Sequence, residues 1–503
     1  MILSRESLGR VKTQHLVPQE SLFQLPEKVL QFGTGVLLRG LPDYFIDKAN
    51  RQGIFNGRIV VVKSTGTGGA SGFDDQDGLF THAIKGIENN EKVDEIMINA
   101  SISRVLAASG DWQAILACAK NPEMKVVISN TTEVGIQLLD TDRVGDQPPR
   151  SFPGKLLAFL AARYEAFHGS EESGMVIVPT ELIIDNGKKL KDIVTRLAVL
   201  NGLPDGFMQW LDKHIVFCNS LVDRIVPGKP DGATIDTLER ELGYRDDLVI
   251  VSEAYRLWAI EGGEKVRETL AFSQADPGVV IAPDIEIFRE LKLRMLNGTH
   301  TLSCGIAFLA GFDTVKNAMD NEAMAAFVSS LMLQEIAPAI PYQVNEQEAK
   351  GFAAKVLDRF RNPHIEHLWL AITAQFSAKL KMRVLPVLLN HYKHSEEVPE
   401  HIAAGFAAYL LFMKSEQENG DQYFGSANGR EYRITDDQAA VLSQAWKHAG
   451  PGEIAAKVLS DRALWDTDLT LLPGFEASVT RKMLTMMTKG IISVLNDLKS
   501  VVA

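Results

Sequence analysis

Six short runs rich in valine and isoleucine, spread over the first half of the chain, constrain its fold more than any other feature. They are Lys28–Phe32, Arg58–Lys63, Ser103–Ala107, Lys125–Asn130, Met175–Val178 and Ile215–Asn219. Each is too short for an ordinary helix, and longer stretches of helical character separate them. Strands that are apolar on both faces need cover on both faces, which a parallel sheet between two layers of helices supplies. The region from Leu25 to Pro283 therefore reads as an α/β, Rossmann-like domain. Loops at Ser64–Gly78, Gly145–Pro149 and Val226–Gly232 punctuate it.

The pattern changes at Ser273–Asp284, which holds Pro277, Gly278 and Pro283. A domain boundary is expected there, dividing a dinucleotide-binding domain (1–283) from an all-helical domain (284–503) that carries substrate and catalytic groups. Beyond it, strand-like runs give way to helical spacing, as in Met324, Phe327, Val328, Leu331 and Met332. Asn345 with Glu348 has the form of a capping box, and the helix it starts should stop at Asn362, before Pro363. Further helices are expected over His401–Met413, Ile454–Leu464 and Ser478–Leu498.

Charge and composition exclude several classes. With 52 basic and 64 acidic residues the net charge is −12, which disfavours nucleic acid as a partner. No apolar run approaches the roughly 18–20 residues a bilayer span needs, so no membrane partner is expected. Residues 1–19 mix Arg5, Glu6, Arg10 and Lys12 with short apolar stretches, unlike a signal peptide. Cys118, Cys218 and Cys304 lie far apart, which argues against a disulfide framework or a cysteine metal site and suits a reducing cytoplasm.

Two segments carry chemistry. The first strand runs into Gly33-Thr34-Gly35-Val36, followed by Arg39. Paired glycines allow a tight turn and close approach of backbone to a pyrophosphate at a helix start. Leu38 stands where a third glycine would complete the usual spacing. The second strand ends at Lys63-Ser64 with no acid to hold an adenosine ribose. That leans toward a 2′-phosphate, while Asp74, Asp75 and Asp77 offer acids later in the loop. These residues leave NAD against NADP open. The second segment is Glu290–His300. On an α-helix at about 100° per residue, Lys292, Asn297 and His300 share an arc of roughly 140°. A lysine can serve as general base on an alcohol, an amide can donate to a developing alkoxide, and an imidazole can orient either partner.

Two further stretches combine with these: Phe217-Cys218-Asn219-Ser220-Leu221-Val222-Asp223-Arg224-Ile225-Val226-Pro227 and Glu181-Leu182-Ile183 before Asn186-Gly187. Together with Lys292/Asn297/His300, Gly33-x-Gly35 with Arg39, and Gln76–Thr81, they resemble the mannitol dehydrogenase family of long-chain, polyol-specific dehydrogenases/reductases from about Leu25 onward. The resemblance implies a zinc-independent, NAD-linked oxidoreductase working in the cleft between its two domains. It implies Lys292 as general acid/base, Asn186 and Asn297 on the reacting oxygen, and His300 orienting lysine or substrate. The cofactor would lie against Gly33, Thr34, Gly35, Val36, Arg39, Lys63, Asn130 and Thr131, with Asp223 and Arg224 near the substrate. Within the family, Ser129–Ile136, Glu181-Leu182, Arg359–Pro363 and His367 fit a member that takes a sugar acid better than one that takes a polyol. A sugar acid needs a cationic anchor, and Lys379, Lys381 and Arg383 supply candidates, with Lys379 or Arg383 expected to bind the carboxylate.

Overall fold

In the computed structural model, residues 1–12, 17–64, 71–131 and 135–500 are described. Residues 65–70 of the Ser64–Gly78 loop and 132–134 of the Ser129–Ile136 stretch lie outside them. The chain forms two compact units, Met1–Gly86 with Lys92–Ile285 and Ile87–Glu91 with Glu286–Ala503.

The strands of the first unit are β1 (Glu27–Phe32), β2 (Arg58–Lys63), β3 (Phe80–Glu88), β4 (Glu91–Asn99), β5 (Ile102–Ala107) and β6 (Val126–Ser129). They continue with β7 (Met175–Pro179), β8 (Ile215–Phe217), β9 (Ser220–Asp223), β10 (Ile250–Ser252), β11 (Leu257–Glu261) and β12 (Val279–Ala282). The six runs singled out in the sequence form one sheet in the order β5-β2-β1-β6-β7-β8, every pairing parallel. Their residues alternate between two cores. Val29, Ile59, Val61, Val126 and Ile128 face one, while Leu30, Phe32, Val60, Val62 and Val127 face the other. Burial on both faces is why the runs read as continuously apolar.

The sequence did not reveal two smaller sheets, β10-β3-β4 and β12-β11-β9. Strand β4 is mostly exposed over its first half, so its residues lack the apolar signature. The Ser273–Asp284 segment, expected as a boundary, contains β12, which pairs in parallel with β11 through Val279, Val280, Ile281 and Ala282. Prolines at 277 and 283 bracket this strand, and the division between the two units falls just after it, between Ile285 and Glu286.

The second unit is built mainly of helices around Glu400–Phe412, a helix buried nearly all round. The capping box forms as expected: Asn345 and Glu348 cap Glu346–Arg361, and Asn362 ends it. The unit is mostly α-helical, as the fold class expected, but not all-helical, because β13 (Gln417–Asn419), β14 (Gln422–Ala427) and β15 (Arg430–Ile434) make an antiparallel sheet. These strands are short and largely exposed. Their signal lay in the turn Asn428-Gly429, where both residues have positive φ (55° and 74°), as a two-residue hairpin loop requires. A second correction concerns helix geometry. Leu291–Gly298, Leu331–Ile336 and Leu380–Val384 are π-helical, so the 100° spacing assumed for Lys292, Asn297 and His300 does not hold. The i→i+5 bonding of a π segment brings positions five apart, such as 292 and 297, onto one side, and such segments gather at functional sites.

Candidate active site

In the first unit the winding of the main sheet reverses between β1 and β6. In open α/β sheets the crevice beyond the strand C-termini at such a point binds ligands. Gly33 follows β1 and Asn130 follows β6. Gly33 has φ 128°, and a Cβ there would lie 2.8 Å from both Asn130 O and Leu38 Cδ1. Only glycine fits this turn. Gly35 is exposed, and a Cβ there would meet nothing within 4 Å. Open space beside backbone leading into the helix Val36–Gly40 is what a pyrophosphate cradle needs. Thr34, Val36 and Lys63 sit half-exposed around it.

Several residues expected to meet ligand are instead engaged within the fold. Arg39 is buried over the Phe80 ring (5.4 Å), its Nη1 donates to Leu248 O, and burial lowers its pKa. Arg224 donates through Nη1 to Gly40 O (2.6 Å) and through Nε and Nη2 to Glu253 O, with its guanidinium over Tyr44. It ties the end of the glycine-loop helix to the strand region instead of presenting its fork to a substrate. Asp223 is buried at the end of β9, opposite Leu257. Asn130 Nδ2 donates to Thr180 O and Oγ1. Thr131 N–H and O–H donate to Glu181 Oε1 at 2.9 and 3.0 Å, while Ser129 Oγ donates to Glu181 Oε2. Glu181, whose place in the sequence gave no hint of this, is a buried brace across the ends of β6 and β7.

Asn186 shows the same inward turn. Its Nδ2 lies 3.1, 3.0 and 3.1 Å from the carbonyl oxygens of Pro179, Glu181 and Ser220. Its Oδ1 accepts from Gly187 N–H and Ser220 N–H at 2.9 Å each. Two amide hydrogens shared among three carbonyls leave none for a substrate oxygen. The side chain is 1% exposed. The neighbouring Gly187 is equally constrained, since a Cβ there would meet Cys218 O at 2.3 Å.

The second unit gathers the other expected residues. Lys292 and Asn297 sit half-buried on the π segment Leu291–Gly298. Arg294 anchors that segment: it pairs with Glu290 (2.9 Å) and donates from Nη1 to the carbonyls of Met382 (2.6 Å) and Arg383 (3.1 Å). The π segment Leu380–Val384 is thereby held against it, which brings Lys379 and Arg383 beside the start of the helix Thr299–Leu309. Arg383 Nη1 donates to Thr301 Oγ1 at 3.2 Å. Lys379 Nζ donates to Ile372 O at 2.9 Å, whereas Lys381 pairs outward with Asp466.

His300 is the hub of this region. Its ring stacks on Phe360 (centroids 4.1 Å apart, 8° between planes) and meets His367 and Trp369 edge to face at 5.0 and 6.0 Å. Its Nε2 is buried without a hydrogen-bond partner, as is Arg383 Nε. Burial first, and then His367, Arg359, Arg383 and Lys379, push the His300 pKa well below the ordinary histidine range. Burial, Arg359 and Lys379 lower His367, and burial followed by Arg383 lowers Lys379. Burial lifts the Cys304 thiol to about 12, against the opposing pull of Lys379 and Arg383. Three cations therefore bear on His300 and two of them, Arg359 and Lys379, on His367, all favouring the neutral imidazole. Arg359 and His367 were legible only as family markers. Nothing in their spacing shows that a helix end and the loop after it close around His300.

A Rossmann unit with a glycine cradle, and a helical unit carrying lysine, amide, imidazole and a group of cations, together define an oxidoreductase acting on CH–OH groups. Residues 27–274 match the model of the mannitol dehydrogenase Rossmann domain, and residues 284–487 match that of the mannitol dehydrogenase C-terminal domain. The chain belongs to the mannitol dehydrogenase family. It is 38% identical over 454 residues to the altronate oxidoreductase of Bacillus subtilis (90% of each chain), and 36% identical over 497 residues to that of Halalkalibacterium halodurans (97% of this chain, 96% of the other). Its fold is similar to Pseudomonas fluorescens mannitol 2-dehydrogenase in complex with NAD and D-mannitol (TM-score 0.66, 22% identity, 99% of both chains). It is also similar to a D-sorbitol dehydrogenase (TM-score 0.78, 19% identity, 98% and 100%). No helix among the described residues is long and apolar enough to cross a membrane.

Proposed function

We propose that the protein interconverts D-tagaturonate and D-altronate with NADH/NAD, as a cytoplasmic step of hexuronate catabolism. The observation that carries this reading is the concentration of Arg359, Lys379 and Arg383 around His300, in the same unit as Lys292 and Asn297. Such a group of cations attracts a carboxylate as it does not attract a neutral polyol. Altronate oxidoreductases among the relatives, at 36–38% identity over most of the chain, support the same substrate.

The work divides between the two units. The backbone around Gly33–Val36 fits the pyrophosphate of a dinucleotide, because Gly33 alone accommodates the turn and the space over Gly35 is open. When bound, the nicotinamide supplies or accepts the hydride. Lys292 gives a proton to the carbonyl oxygen during reduction and takes it back during oxidation, with no resident metal required. The Asn297 amide donates to the same oxygen as charge develops there. His300, unable to rotate against Phe360, offers Nε2 to a substrate hydroxyl. Lys379 and Arg383 hold the carboxylate and so fix which end of the sugar meets Lys292. Asn186 acts at one remove, shaping the turn between β7 and the following helix.

The test is Lys292→Ala. Turnover should fall by about 10²–10⁴-fold, the usual worth of a general acid/base, while NADH affinity measured by fluorescence stays within about threefold. Turnover that survives would mean another group carries the proton.

A further inference from the structure

Residue His367 has no part in the mechanism above, yet it stands against the His300 ring. Arg359 lies in the last turn of Glu346–Arg361, and His367 lies in the loop that follows. That loop is pinned, since Val315 N–H donates to His367 O at 2.9 Å and Leu368 bridges Thr314 in antiparallel register. The His367 ring stands at 81° to His300. Phe360, His367 and Trp369 pack around the His300 ring, whose buried Nε2 has no hydrogen-bond partner within the protein.

We propose that His367, working with Arg359, is the residue by which this site selects an acid over a neutral sugar: its ring N–H donates to the substrate carboxylate. The inference rests on the sugar-acid reading given above and adds to the Lys379–Arg383 anchor a second wall from a different element. Its charge logic is specific. His367 feels Arg359 and Lys379, and His300 feels His367, Arg359, Arg383 and Lys379. Cys304 and Asp436 act on Lys379 in the opposite sense. Both imidazoles are thus neutral at pH 7 without ligand. An arriving carboxylate sets a negative charge beside the imidazoles, so binding draws a proton onto the pair. A hexitol, lacking the charge, does not.

Calorimetric titration of the full chain with D-altronate and with the matching hexitol, in two buffers of different ionisation enthalpy, tests this. The unsubstituted protein should prefer the acid and take up a fraction of a proton on binding it. In His367→Ala the preference should drop by about 10- to 100-fold, the worth of a hydrogen bond to a charged group, and the proton uptake should shrink. His367→Gln keeps an N–H donor but cannot ionise. It should recover most of the preference without the uptake, and it guards against a poorly folded alanine variant. Equal losses for acid and hexitol with unchanged uptake would show that His367 only braces His300, which overturns the inference while tagaturonate turnover leaves the proposed function standing. A protein that reduces no uronate and binds the acid no better than the hexitol overturns both.

Discussion

Replacing Asn186 by alanine separates a structural from a chemical role at the position where sequence and structure diverge most. The side chain makes five contacts of hydrogen-bond length to the backbone, with partners at the end of β7 (Pro179), in the turn after it (Glu181), at the start of the following helix (Gly187) and at the start of β9 (Ser220). Alanine leaves three carbonyls and two N–H groups without it. At about 0.5–1.5 kcal/mol net per hydrogen bond, with some partners rehydrating, the loss should reach about 3–5 kcal/mol. For a unit of this size that corresponds to a Tm lower by about 10 °C. Asn186→Asp preserves the shape but sets a carboxylate oxygen against three carbonyl oxygens, and should be at least as damaging. Differential scanning calorimetry beside steady-state kinetics at 15 °C reads both effects. The reasoning expects a large fall in Tm with kcat at the low temperature reduced less than tenfold. An unchanged Tm with kcat reduced a thousandfold would refute it and return Asn186 to the reacting oxygen.

Other outcomes follow from the same geometry. Gly33→Ala forces a Cβ to within 2.8 Å of Asn130 O at a positive φ, so NADH affinity should fall by at least tenfold in fluorescence titration with the helical unit's melting unchanged. Asp43 is fully buried and its pKa is pushed up to about 8 from 3.8, chiefly by burial. The folded chain therefore keeps a proton that the unfolded chain releases above pH 4. Stability should decline between about pH 4 and 8 and level off above, and Asp43→Asn should flatten that slope, gaining about 4 kcal/mol at pH 7 in urea titrations. No gain there would mean that the site tolerates the charge. Arg383→Ala or Lys379→Ala should raise the KM for tagaturonate by at least tenfold more than the KM for fructose. Equal effects on both would remove the carboxylate anchor.

The legibility of this fold follows from burial. All six strands of the central sheet are apolar on both faces, so they stood out from the sequence as β-branched runs. By contrast, β4, β13 and β14 present a wet face, and their alternation is too weak to see beside helices. The capping box at Asn345 and Glu348 was readable because caps are local, whereas the π geometry of Leu291–Gly298 is not written in residue type. The same division applies to the site. Gly33 and Gly35 declare themselves because a turn demands glycine. Asn186 and Arg224 were read as reaching for ligand, because sequence gives a polar side chain's identity and not its partners. Arg359 and His367 come beside His300 only because a helix end and a pinned loop fold back onto it.

Addition of purified D-tagaturonate to the protein with NADH, followed at the nicotinamide absorbance beside parallel reactions with D-fructuronate, fructose and NADPH, bears most directly on the whole account. NADH oxidation at least a hundredfold more efficient with tagaturonate than with fructose is the expected result. Fructose reduced as efficiently as either uronate would mean that the cations around His300 do not read a carboxylate, and the assignment to a sugar acid would fall.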